Sequence, residues 1–526
     1  MSQTWGKKSV LTVLMTAALG SFAAGQTWEI YDESFTLQRK ITNETIHILG
    51  NAVRVSTGEN SFNLLGKSYE TIVRVDNARV FQYLEPWIIV ENNGKFGAYH
   101  EYGEKIFEAE YDVIDTYYNL LLAKKGIAYF LYDRGQKTVK PLGSYDAAHI
   151  AKNGQVIAKS AHGYFLPLSE DPNYAYDSLA SISDNVILSK EATGYGLINR
   201  DGENILEPVI DEITYMGDDF FFAKDSKEYM LIKAMTNKAE IRYTSYHRIA
   251  VENDVMLEYI HGRLRRIMKR DGILLDAMEM ESVAKTGSGH YTVKFKDGRI
   301  GLLDAKGKWE VSPTKGIHAL LPGGQGYNSA LIDGKYGFVD PSGRLRIANR
   351  YEGARSFVEG LAPVKIGQLW GFIDTNDKLA VQPKYSEVGD FKKGIAIVKK
   401  DGKVNLIDKS GKELLSDYYE RISMTDDHYY LTENNGMFGL VDARGNEISI
   451  PKFDELRREG HDKIIIRRGD KYGLMKETGE YSLPIYYKNI VIDPGNQKIL
   501  AEDEAVIETP TLVEEDIRKK SNKRGA

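Results

Sequence analysis

Short runs of β-branched and other apolar residues alternate with glycine-containing turns along most of the chain. One such run, Gly394–Lys400, reads GIAIVKK and predicts a β-strand. The dipeptide Asp401-Gly402 follows it and can supply the positive φ angles that a two-residue hairpin needs. A second strand of the type Trp370–Asp374 (WGFID) is then expected to fold back onto the first. The pattern therefore predicts consecutive antiparallel hairpins.

The second strand of a unit ends in an Asp-x-x-Gly turn, in which the carboxylate accepts hydrogen bonds from backbone amides and glycine closes the turn. These turn aspartates are Asp304, Asp340, Asp408 and Asp442. A third short strand reaches a proline, which lacks the ladder donor and should end the pairing or lie at an edge. The prolines are Pro208, Pro313, Pro383, Pro451 and Pro484. An aromatic and a β-branched residue usually follow, as in Tyr385 and Val388. One unit is thus predicted to be a three-stranded antiparallel meander plus a linker.

The same phrase returns at a nearly constant spacing. DGKYGFVDPSG at Asp333–Gly343 is repeated as GQLWGFIDTND at Gly367–Asp377 and NGMFGLVDARG at Asn435–Gly445. The position after the aromatic serves as the anchor of each unit. The anchors are Asn63, Gly97, Ala128, Gly163, Gly196, Met230, Arg265, Gly301, Gly337, Gly371, Asn405, Gly439 and Gly473, of which Met230 and Arg265 are placed by spacing. A glycine fits there if a backbone or a ring approaches too closely for a Cβ. We interpret as structural anchors Gly97, Gly196, Gly301, Gly337, Trp370, Gly371, Gly439 and Gly473.

This pattern resembles the WG-repeat proteins, a group of bacterial and often exported proteins. Their units read roughly aromatic-Gly-[FYL]-[IV]-Asp-x-x-Gly, followed by an apolar-x-Pro segment and Tyr/Phe-Asp. The resemblance covers most of residues 60–492 and is strongest over 295–490, although only Trp370-Gly371 keeps the literal Trp-Gly. The stretch 220–290 departs furthest because it has lost the glycine anchors. The resemblance implies a β-repeat scaffold and brings no catalytic residues with it.

These units predict an all-β fold, a tandem array of about 13 three-stranded antiparallel repeats of about 34 residues. Each meander is too small to bury its apolar face alone, so neighbours must stack. The even steps from Gly337 to Gly473 and the lack of a Pro/Ser-rich linker favour an open curved or superhelical array. The alternative is two consecutive β-propeller-like rings, with a weak division near 220–290.

The two ends of the chain differ from the array at 26–492. Lys7 and Lys8, the apolar run Val10–Ala18 and the small residues of Leu19–Gly25 predict a signal peptide over 1–25. The apolar run is too short to cross about 30 Å of hydrocarbon, so we expect no transmembrane span. Residues 493–526 are highly charged and are expected to be a poorly ordered tail or a short helix. The mature chain is expected to be periplasmic or extracellular.

Composition removes several classes of function. The 526-residue chain has no cysteine, which excludes cysteine nucleophiles, Cys-based metal sites and a lipoprotein anchor. Its formal net charge of −6 argues against a nucleic-acid partner. The densest basic run is Arg263–Arg270, RLRRIMKR. We interpret it as a solvated strand face, with a site for an anionic partner as the alternative.

Motifs that would carry chemistry are incomplete. Ser183-Asp184-Asn185 and Lys285-Thr286-Gly287 resemble parts of a β-lactamase site, but no Ser-x-x-Lys precedes them. The ten histidines form no ligand pair at close spacing. We therefore expect no catalytic residue, no metal and no cofactor. The sequence predicts a non-catalytic scaffold of the bacterial envelope or exterior that binds protein. A carbohydrate- or cell-wall-binding module is the first alternative and an enzyme of unrecognised class the second, and the ligand-binding residues and oligomeric state are left open.

Overall fold

A computed structural model describes residues 26–503 except 51–52, 59, 173–174, 227, 253, 287–288, 426–428 and 461. The predicted signal peptide and residues 504–526 of the predicted tail lie outside this range. Within it, every named element is a β-strand, and the strands form fourteen small antiparallel sheets. The all-β prediction is confirmed, and the sheets form a propeller-like array in which each sheet is named a blade. No helix in this part of the chain has the length and apolar character to cross a membrane.

The chain divides into two compact units, and neither junction lies within 220–290. The weak division expected in that stretch stays a prediction. The first unit contains the described residues up to Gly143 and from Glu455, and the second is Ser144–Asp454. The described strands of the first unit are these: blade 1, β1 Thr27–Tyr31, β2 Leu37–Thr42, β53 Asn489–Ile492 and β54 Ile499–Asp503; blade 2, β3 Thr45–Leu49, β4 Val53–Thr57, β5 Ser61–Leu65 and β6 Thr71–Asp76; blade 3, β7 Arg79–Leu84, β8 Trp87–Asn92, β9 Lys95–His100 and β10 Lys105–Tyr111; blade 4, β11 Val113–Tyr117, β12 Leu120–Lys125, β13 Ala128–Asp133 and β14 Thr138–Ser144; blade 14, β49 Glu455–Arg458, β50 Ile464–Arg468, β51 Lys471–Met475 and β52 Tyr481–Tyr487.

The second unit holds blades 5 to 13. Its described strands are these: blade 5, β15 Ala147–Ile150, β16 Val156–Ser160 and β17 Gly163–Phe165; blade 6, β18 Ser178–Ser181, β19 Ile187–Glu191, β20 Gly194–Ile198 and β21 Asn204–Ile210; blade 7, β22 Glu212–Gly217, β23 Phe220–Asp225, β24 Glu228–Ala234 and β25 Ala239–Ser245; blade 8, β26 Arg248–Glu252, β27 Val255–Ile260, β28 Arg263–Lys269 and β29 Gly272–Asp276; blade 9, β30 Met280–Lys285, β31 Tyr291–Phe295, β32 Ile300–Leu303 and β33 Trp309–Thr314; blade 10, β34 Ala319–Gly324, β35 Tyr327–Ile332, β36 Lys335–Val339 and β37 Leu345–Tyr351; blade 11, β38 Gly353–Ala354, β39 Leu361–Ile366, β40 Leu369–Asp374 and β41 Leu379–Tyr385; blade 12, β42 Glu387–Val388, β43 Ile395–Lys400 and β44 Lys403–Asp408; blade 13, β45 Arg421–Thr425, β46 Tyr429–Asn434, β47 Met437–Asp442 and β48 Glu447–Phe453.

The hairpins form where the turn chemistry predicts them. Strands β43 and β44 pair antiparallel through Asp401 and Gly402, whose φ angles are 50° and 81°. Both angles are positive, as a two-residue hairpin of this kind requires. The predicted strand Gly394–Lys400 matches β43, Ile395–Lys400, to within one residue.

Most blades have four strands, so the prediction of three-stranded units is wrong. The segment read as a linker contains the first strand of the next blade. After Tyr385 ends β41 in blade 11, Glu387 and Val388 form β42 and pair with β43 in blade 12. Strands β38 and β42 have two residues, too few to show an alternating pattern, whereas the first strand of most other blades has four to six residues.

The ends of the described chain share one blade. Strand β1 pairs with β54, with Glu29 opposite Ala501. Residues 499–503 are therefore a strand, and the tail begins later than predicted. Nearby, the buried carboxylate of Asp493 accepts hydrogen bonds from Arg54 Nη2 (2.9 Å) and from Tyr69 Oη (2.7 Å). Two isolated hairpins would be only marginally stable in water, and their pairing satisfies both edges. The expected open array is thus replaced by the propeller-like alternative.

The core lies between the faces of neighbouring blades. One cluster joins Phe372 and Tyr385 of blade 11 to Val388 and Val398 of blade 12. Blades 10 and 11 are joined in the same way through Phe338 and Tyr351. Blade 11 therefore buries both faces against its neighbours, as expected for stacked repeats that cannot fold alone.

Candidate ligand-binding cleft between blades 7 and 8

The anchor glycines lie where the last strand of a blade passes close over the third. Trp370 pairs with Tyr385 and Phe372 pairs with Val381, so residues 382–384 bulge over Gly371. A Cβ on Gly371 would lie 2.5 Å from the carbonyl oxygen of Val381, too close for any side chain. The shortest distance from such a Cβ to a backbone carbonyl oxygen is 2.7 Å at Gly97, 2.6 Å at Gly196 and Gly337 and 2.5 Å at Gly439. At Gly301 and Gly473 the nearest atoms belong to the side chains of Trp309 (2.6 Å) and Ile485 (2.9 Å).

The bulge turns an aromatic ring into the core. Pro383 lies in the bulge, where the ladder needs no N–H from it. Pairing then resumes at Tyr385, which is fully buried beside Phe372 in the core between blades 11 and 12. Buried residues at the same position in blades 10, 13 and 14 are Tyr351, Phe453 and Tyr487. Glycine, bulge and aromatic thus form one packing device.

The turn aspartates are each engaged within their own blade. The Asp340 carboxylate accepts hydrogen bonds from the Ser342 hydroxyl (2.6 Å) and from the amides of Ser342 (2.9 Å) and Arg344 (3.1 Å). The Ser342 hydroxyl bond above all lowers the pKa of Asp340 to about 2. The same pair of amide bonds, from the residues two and four positions later, is made by Asp304, Asp408 and Asp442. Because each turn closes a different blade, these carboxylates do not converge on one site.

Blade 12 replaces the glycine by a buried asparagine. Asn405 Nδ2 donates to the carbonyl oxygens of Leu415 (3.0 Å) and Asp417 (3.1 Å), and its Oδ1 accepts from the Leu415 amide. The side chain thus bonds the segment that is a fourth strand in most other blades. An anchor that carries a side chain therefore changes how the last segment packs.

Blade 7 also lacks the glycine, with a different result. Met230 lies opposite Thr244 in the ladder, and β25 pairs with β24 at six positions with one register shift, after Leu231. Tyr229 lies opposite Ser245, which occupies the position that Tyr385 fills in blade 11. A small side chain therefore stands where blades 3, 10, 11, 13 and 14 bury a ring.

A cleft of about 490 Å³ opens between blades 7 and 8, and Tyr243, two positions before Ser245, is one of its lining residues. Such a volume falls within the range of about 300–1,000 Å³ that is typical of ligand sites. Five apolar residues line it, namely Phe220, Leu231, Met256, Met268 and Ile273. Arg242 and Tyr243 contribute from β25, and Lys269, Arg270, Asp271 and Gly272 from the β28–β29 hairpin. Methionine side chains adapt to irregular apolar ligands.

A buried polar network supports the wall of the cleft. Glu258 is fully buried and receives hydrogen bonds from Tyr243 Oη (3.1 Å), Ser245 Oγ and Arg266 Nη1 (2.9 Å). Arg266 Nε also donates to Asp276 (2.9 Å), and this bond is the main cause of the raised pKa of Arg266. Burial, then the Glu258 charge, raises the pKa of Tyr243. These bonds fix the Tyr243 ring in the wall, and they compensate the charge of Glu258.

The basic run Arg263–Arg270 is strand β28 with the residue after it. Its cations are matched by carboxylates of the same unit. The pairs are Arg263–Glu279 (3.5 Å), Arg265–Asp276 (2.6 Å), Arg266–Glu258 (2.9 Å), Lys269–Asp254 (4.0 Å) and Arg270–Asp218 (2.7 Å). The run is therefore a strand whose charges are largely balanced in place, and not a continuous bare cationic surface.

The two triplets that resemble β-lactamase motifs are held in different contacts. Asn185 Nδ2 donates to Asp219 Oδ2 (2.7 Å), and the Ser183 hydroxyl donates to the same carboxylate. Lys285 pairs with Asp254 at 3.1 Å. In the part of the chain that the structure describes, no group of three or more His, Asp or Glu side chains could hold a metal ion.

Sequence reasoning singled out the basic run and the loss of glycine at Met230, but it did not identify the cleft. One signal was present in the residues. Seven of the twelve methionines lie within 216–280, at positions 216, 230, 235, 256, 268, 278 and 280. Two of these methionines, Met256 and Met268, line the cleft.

Comparisons with known proteins identify the repeat. The family model for the WG containing repeat matches residues 195–229, 336–370 and 370–403. No curated protein matches the chain.

Several solved structures are similar at low identity. An extracellular domain described as part of a one-component system of B. thetaiotaomicron is 9% identical, with 92% of this chain and 83% of that chain covered and a TM-score of 0.20. BamB from Moraxella catarrhalis is 10% identical, with coverages of 56% and 97% and a TM-score of 0.25. PorZ, a surface component of the type-IX secretion system of Porphyromonas gingivalis, is 9% identical, with coverages of 87% and 85% and a TM-score of 0.21.

Proposed function

We propose that this chain, which is a WG-repeat protein, is an exported and non-catalytic scaffold that binds another protein through the cleft between blades 7 and 8. The observation that carries the proposal is the apolar cleft itself. Elsewhere the repeat residues are used in packing, as at Gly371, or in closing a turn, as at Asp340. The cleft lies between blades 7 and 8, and blade 7 lacks the anchor glycine.

The composition of the cleft suits a protein partner. Leu231, Met256 and Met268 are buried apolar walls, and Arg242 and Arg270 are charged residues at its mouth. Apolar pockets with a polar rim receive the anchor side chains that dominate protein–protein binding. A cleft of this size can bury more than one such side chain.

The enzyme alternative has less support from the site. Catalysis by acid–base chemistry would need a titrating group that faces the cleft. Among the lining residues Asp271 is the one carboxylate. The buried acid in the wall behind the lining, Glu258, is held by Tyr243, Ser245 and Arg266. Its hydrogen-bonding capacity is thus directed into the protein.

The carbohydrate alternative would use an open aromatic face on which a sugar ring stacks. Phe220 lines the cleft, but Lys233 Nζ lies 4.5 Å from its ring centroid and the Arg270 guanidinium lies 6.0 Å from it. These cations approach the ring face and restrict stacking. The glycan alternative therefore becomes an outcome of the test below.

A photo-cross-linking amino acid placed at the cleft of the full chain, in the native host, tests the proposal. Ile273→p-benzoylphenylalanine puts the probe on a half-exposed wall residue, and Ile450→p-benzoylphenylalanine is the matched control on β48 of blade 13. We expect a protein adduct, identified by mass spectrometry, at the cleft and not at the control. Absence of a protein adduct at both sites, together with co-sedimentation with purified cell wall, would support the glycan alternative.

Export is tested separately by sequencing the N-terminus of the protein recovered from the host. The charged and apolar pattern of the first 25 residues predicts a mature chain that begins near Ala24 or Gln26. Retention of Met1 or Ser2 would contradict export by a cleaved signal.

A further inference from the structure

We infer that the cleft receives an extended peptide segment that adds to the free edge of β25, places a bulky apolar side chain between blades 7 and 8, and presents a neighbouring acidic side chain to Arg242 and Arg270. This inference rests on the proposed function and names the partner's chemistry. Three independent features of blades 7 and 8 carry it.

The first feature is the edge of β25. This strand is the last of blade 7, and among the described residues no other strand pairs with its outer side. Its ladder to β24 runs over six positions. In blades 6, 9, 11, 13 and 14 the last strand instead carries a proline and two register shifts, which protect an edge from further pairing. Because β25 has no proline and a single register shift, it can accept an added strand.

The second feature is the position of the cleft relative to this edge. Arg242 and Tyr243 belong to β25 and line the cleft, and Leu231 lies opposite Tyr243 on β24. Side chains of a strand point alternately to its two faces. A strand added to β25 would therefore direct every second side chain toward the blade 8 side, over the apolar walls.

The third feature is charge. The lining residues include three cations, Arg242, Lys269 and Arg270, and one carboxylate, Asp271. Arg242 and Arg270 have side chains that are 46% and 38% exposed, and each pairs with an exposed carboxylate, Glu240 at 3.1 Å and Asp218 at 2.7 Å.

Exposed pairs of this kind contribute little to stability, so a ligand can replace the partner carboxylate at small cost. An acidic side chain next to the apolar anchor would receive charge-assisted hydrogen bonds from a guanidinium. The partner is therefore an acidic and apolar extended peptide, and not a basic one.

The inference is tested by selecting short random peptides, displayed as a library, on the full chain. We expect enriched peptides to carry Phe, Leu, Ile, Val or Met within two residues of Asp or Glu. Fluorescence anisotropy with one enriched peptide then gives affinities. Arg242→Ala combined with Arg270→Ala should weaken binding about tenfold, and exchange of the peptide acid for lysine should do the same.

Two controls separate recognition from folding. Arg346 is a half-exposed arginine on β37, the last strand of blade 10, and it pairs with Asp340. Arg346→Ala should leave the affinity for the peptide unchanged. Urea midpoints of all variants should match that of the parent. N-methylation of alternate peptide amides, in both registers, should abolish binding in at least one register, because a ladder hydrogen bond is lost.

Enrichment of peptides without acidic residues, equal binding of the lysine peptide, or no enrichment at all would overturn the inference. One outcome is that the variant that combines Arg242→Ala and Arg270→Ala forms the protein adduct at the Ile273 position as the parent does, although no peptide binds the parent chain. In that case the proposed function stands and this binding mode is wrong. If no protein adduct forms and no peptide binds, both the proposed function and this inference are wrong.

Discussion

In blade 11 the position after the strand aromatic is Gly371, and in blade 7 the same position is Met230. The glycine allows residues 382–384 to bulge over it, and the bulge returns Tyr385 to the core. In blade 7 Met230 stays paired opposite Thr244, the ladder has one register shift after Leu231, and Ser245 takes the place of the ring. Ser245 belongs to a buried polar network with Glu258, and a cleft lies between blades 7 and 8.

The difference shows how a repeat protein gains a site. A motif whose residues serve packing in every unit leaves no side chain for a ligand. Where the motif is lost, the space between two blades is no longer filled in the same way. The residues there then become specific to that place in the chain.

The largest effect should come from removing the ring that blade 7 lacks. Tyr385→Ala in blade 11 is expected to lower the free energy of unfolding by about 3–5 kcal/mol, because it empties a fully buried aromatic position. Ser245→Ala at the matched position of blade 7 should cost about 1 kcal/mol, through the lost hydrogen bond to Glu258. Urea denaturation of both variants measures the difference. Equal losses in the free energy of unfolding would mean that Tyr385 and Ser245 contribute equally to stability, which would contradict this comparison.

Substitution at the anchor position should also destabilise blade 11 more than blade 7. Gly371→Val is expected to cost about 2–3 kcal/mol, because the added Cβ meets the backbone of Val381 and Pro383. Met230→Val, which changes the same repeat position in blade 7, should cost about 1 kcal/mol or less because a side chain is already accommodated there. Urea unfolding midpoints of the Gly371→Val and Met230→Val variants measure the two losses of stability. A Gly371 variant as stable as the parent would refute the role of the close backbone approach.

The polar network of blades 7 and 8 should matter less than the ring that it replaces. Glu258→Gln is expected to lower stability by about 1.5 kcal/mol, because hydrogen bonds from Arg266, Tyr243 and Ser245 lose their charged acceptor. Glu281→Gln breaks an exposed pair with Lys294 and serves as the control, with little expected effect. If the control variant loses as much as Glu258→Gln, the network does not stabilise the cleft wall.

The smallest effect is the acid dependence of a regular turn. The hydrogen bonds to Asp340 lower its pKa from 3.8 to about 2, so its carboxylate contributes stability that is complete above the ordinary pKa and is lost as pH falls toward 2. Asp340→Asn should therefore be less stable than the parent near neutral pH, and the difference should vanish near pH 2. Lys233 occupies the equivalent position in blade 7. The small stability difference of Lys233→Gln should not follow this acid titration, and thermal melts across the acid range provide the test.

Much of the local structure was predictable from the residues. The Asp401-Gly402 hairpin has the positive φ angles that its sequence indicates, and Asp340 accepts the turn hydrogen bonds expected of it. These features depend on neighbours within a few positions. The two-residue strand β42 was missed because it is too short for a periodic signal, and pairing defines it as a strand.

The cleft was not predictable in the same way. From the sequence, the basic run at 263–270 is interpreted as a solvated strand face, with a site for an anionic partner as the alternative, and its carboxylate partners come from β27, β29 and the turns around them. Arg270 pairs with Asp218, which lies 52 positions earlier in the chain. A one-dimensional pattern shows the cations and does not show which acids face them.

The sequence by itself determined the repeat period, the hairpin turns and the anchor glycines. It could do so because turn geometry and close backbone approach restrict the residue type at each position. The tertiary structure alone decided that β1 pairs with β54 across the length of the chain and that Ser245, Glu258 and Arg266 meet beneath a cleft. The physical reason is that such contacts depend on the stacking of whole blades, which brings together residues whose local sequences carry no signal of one another.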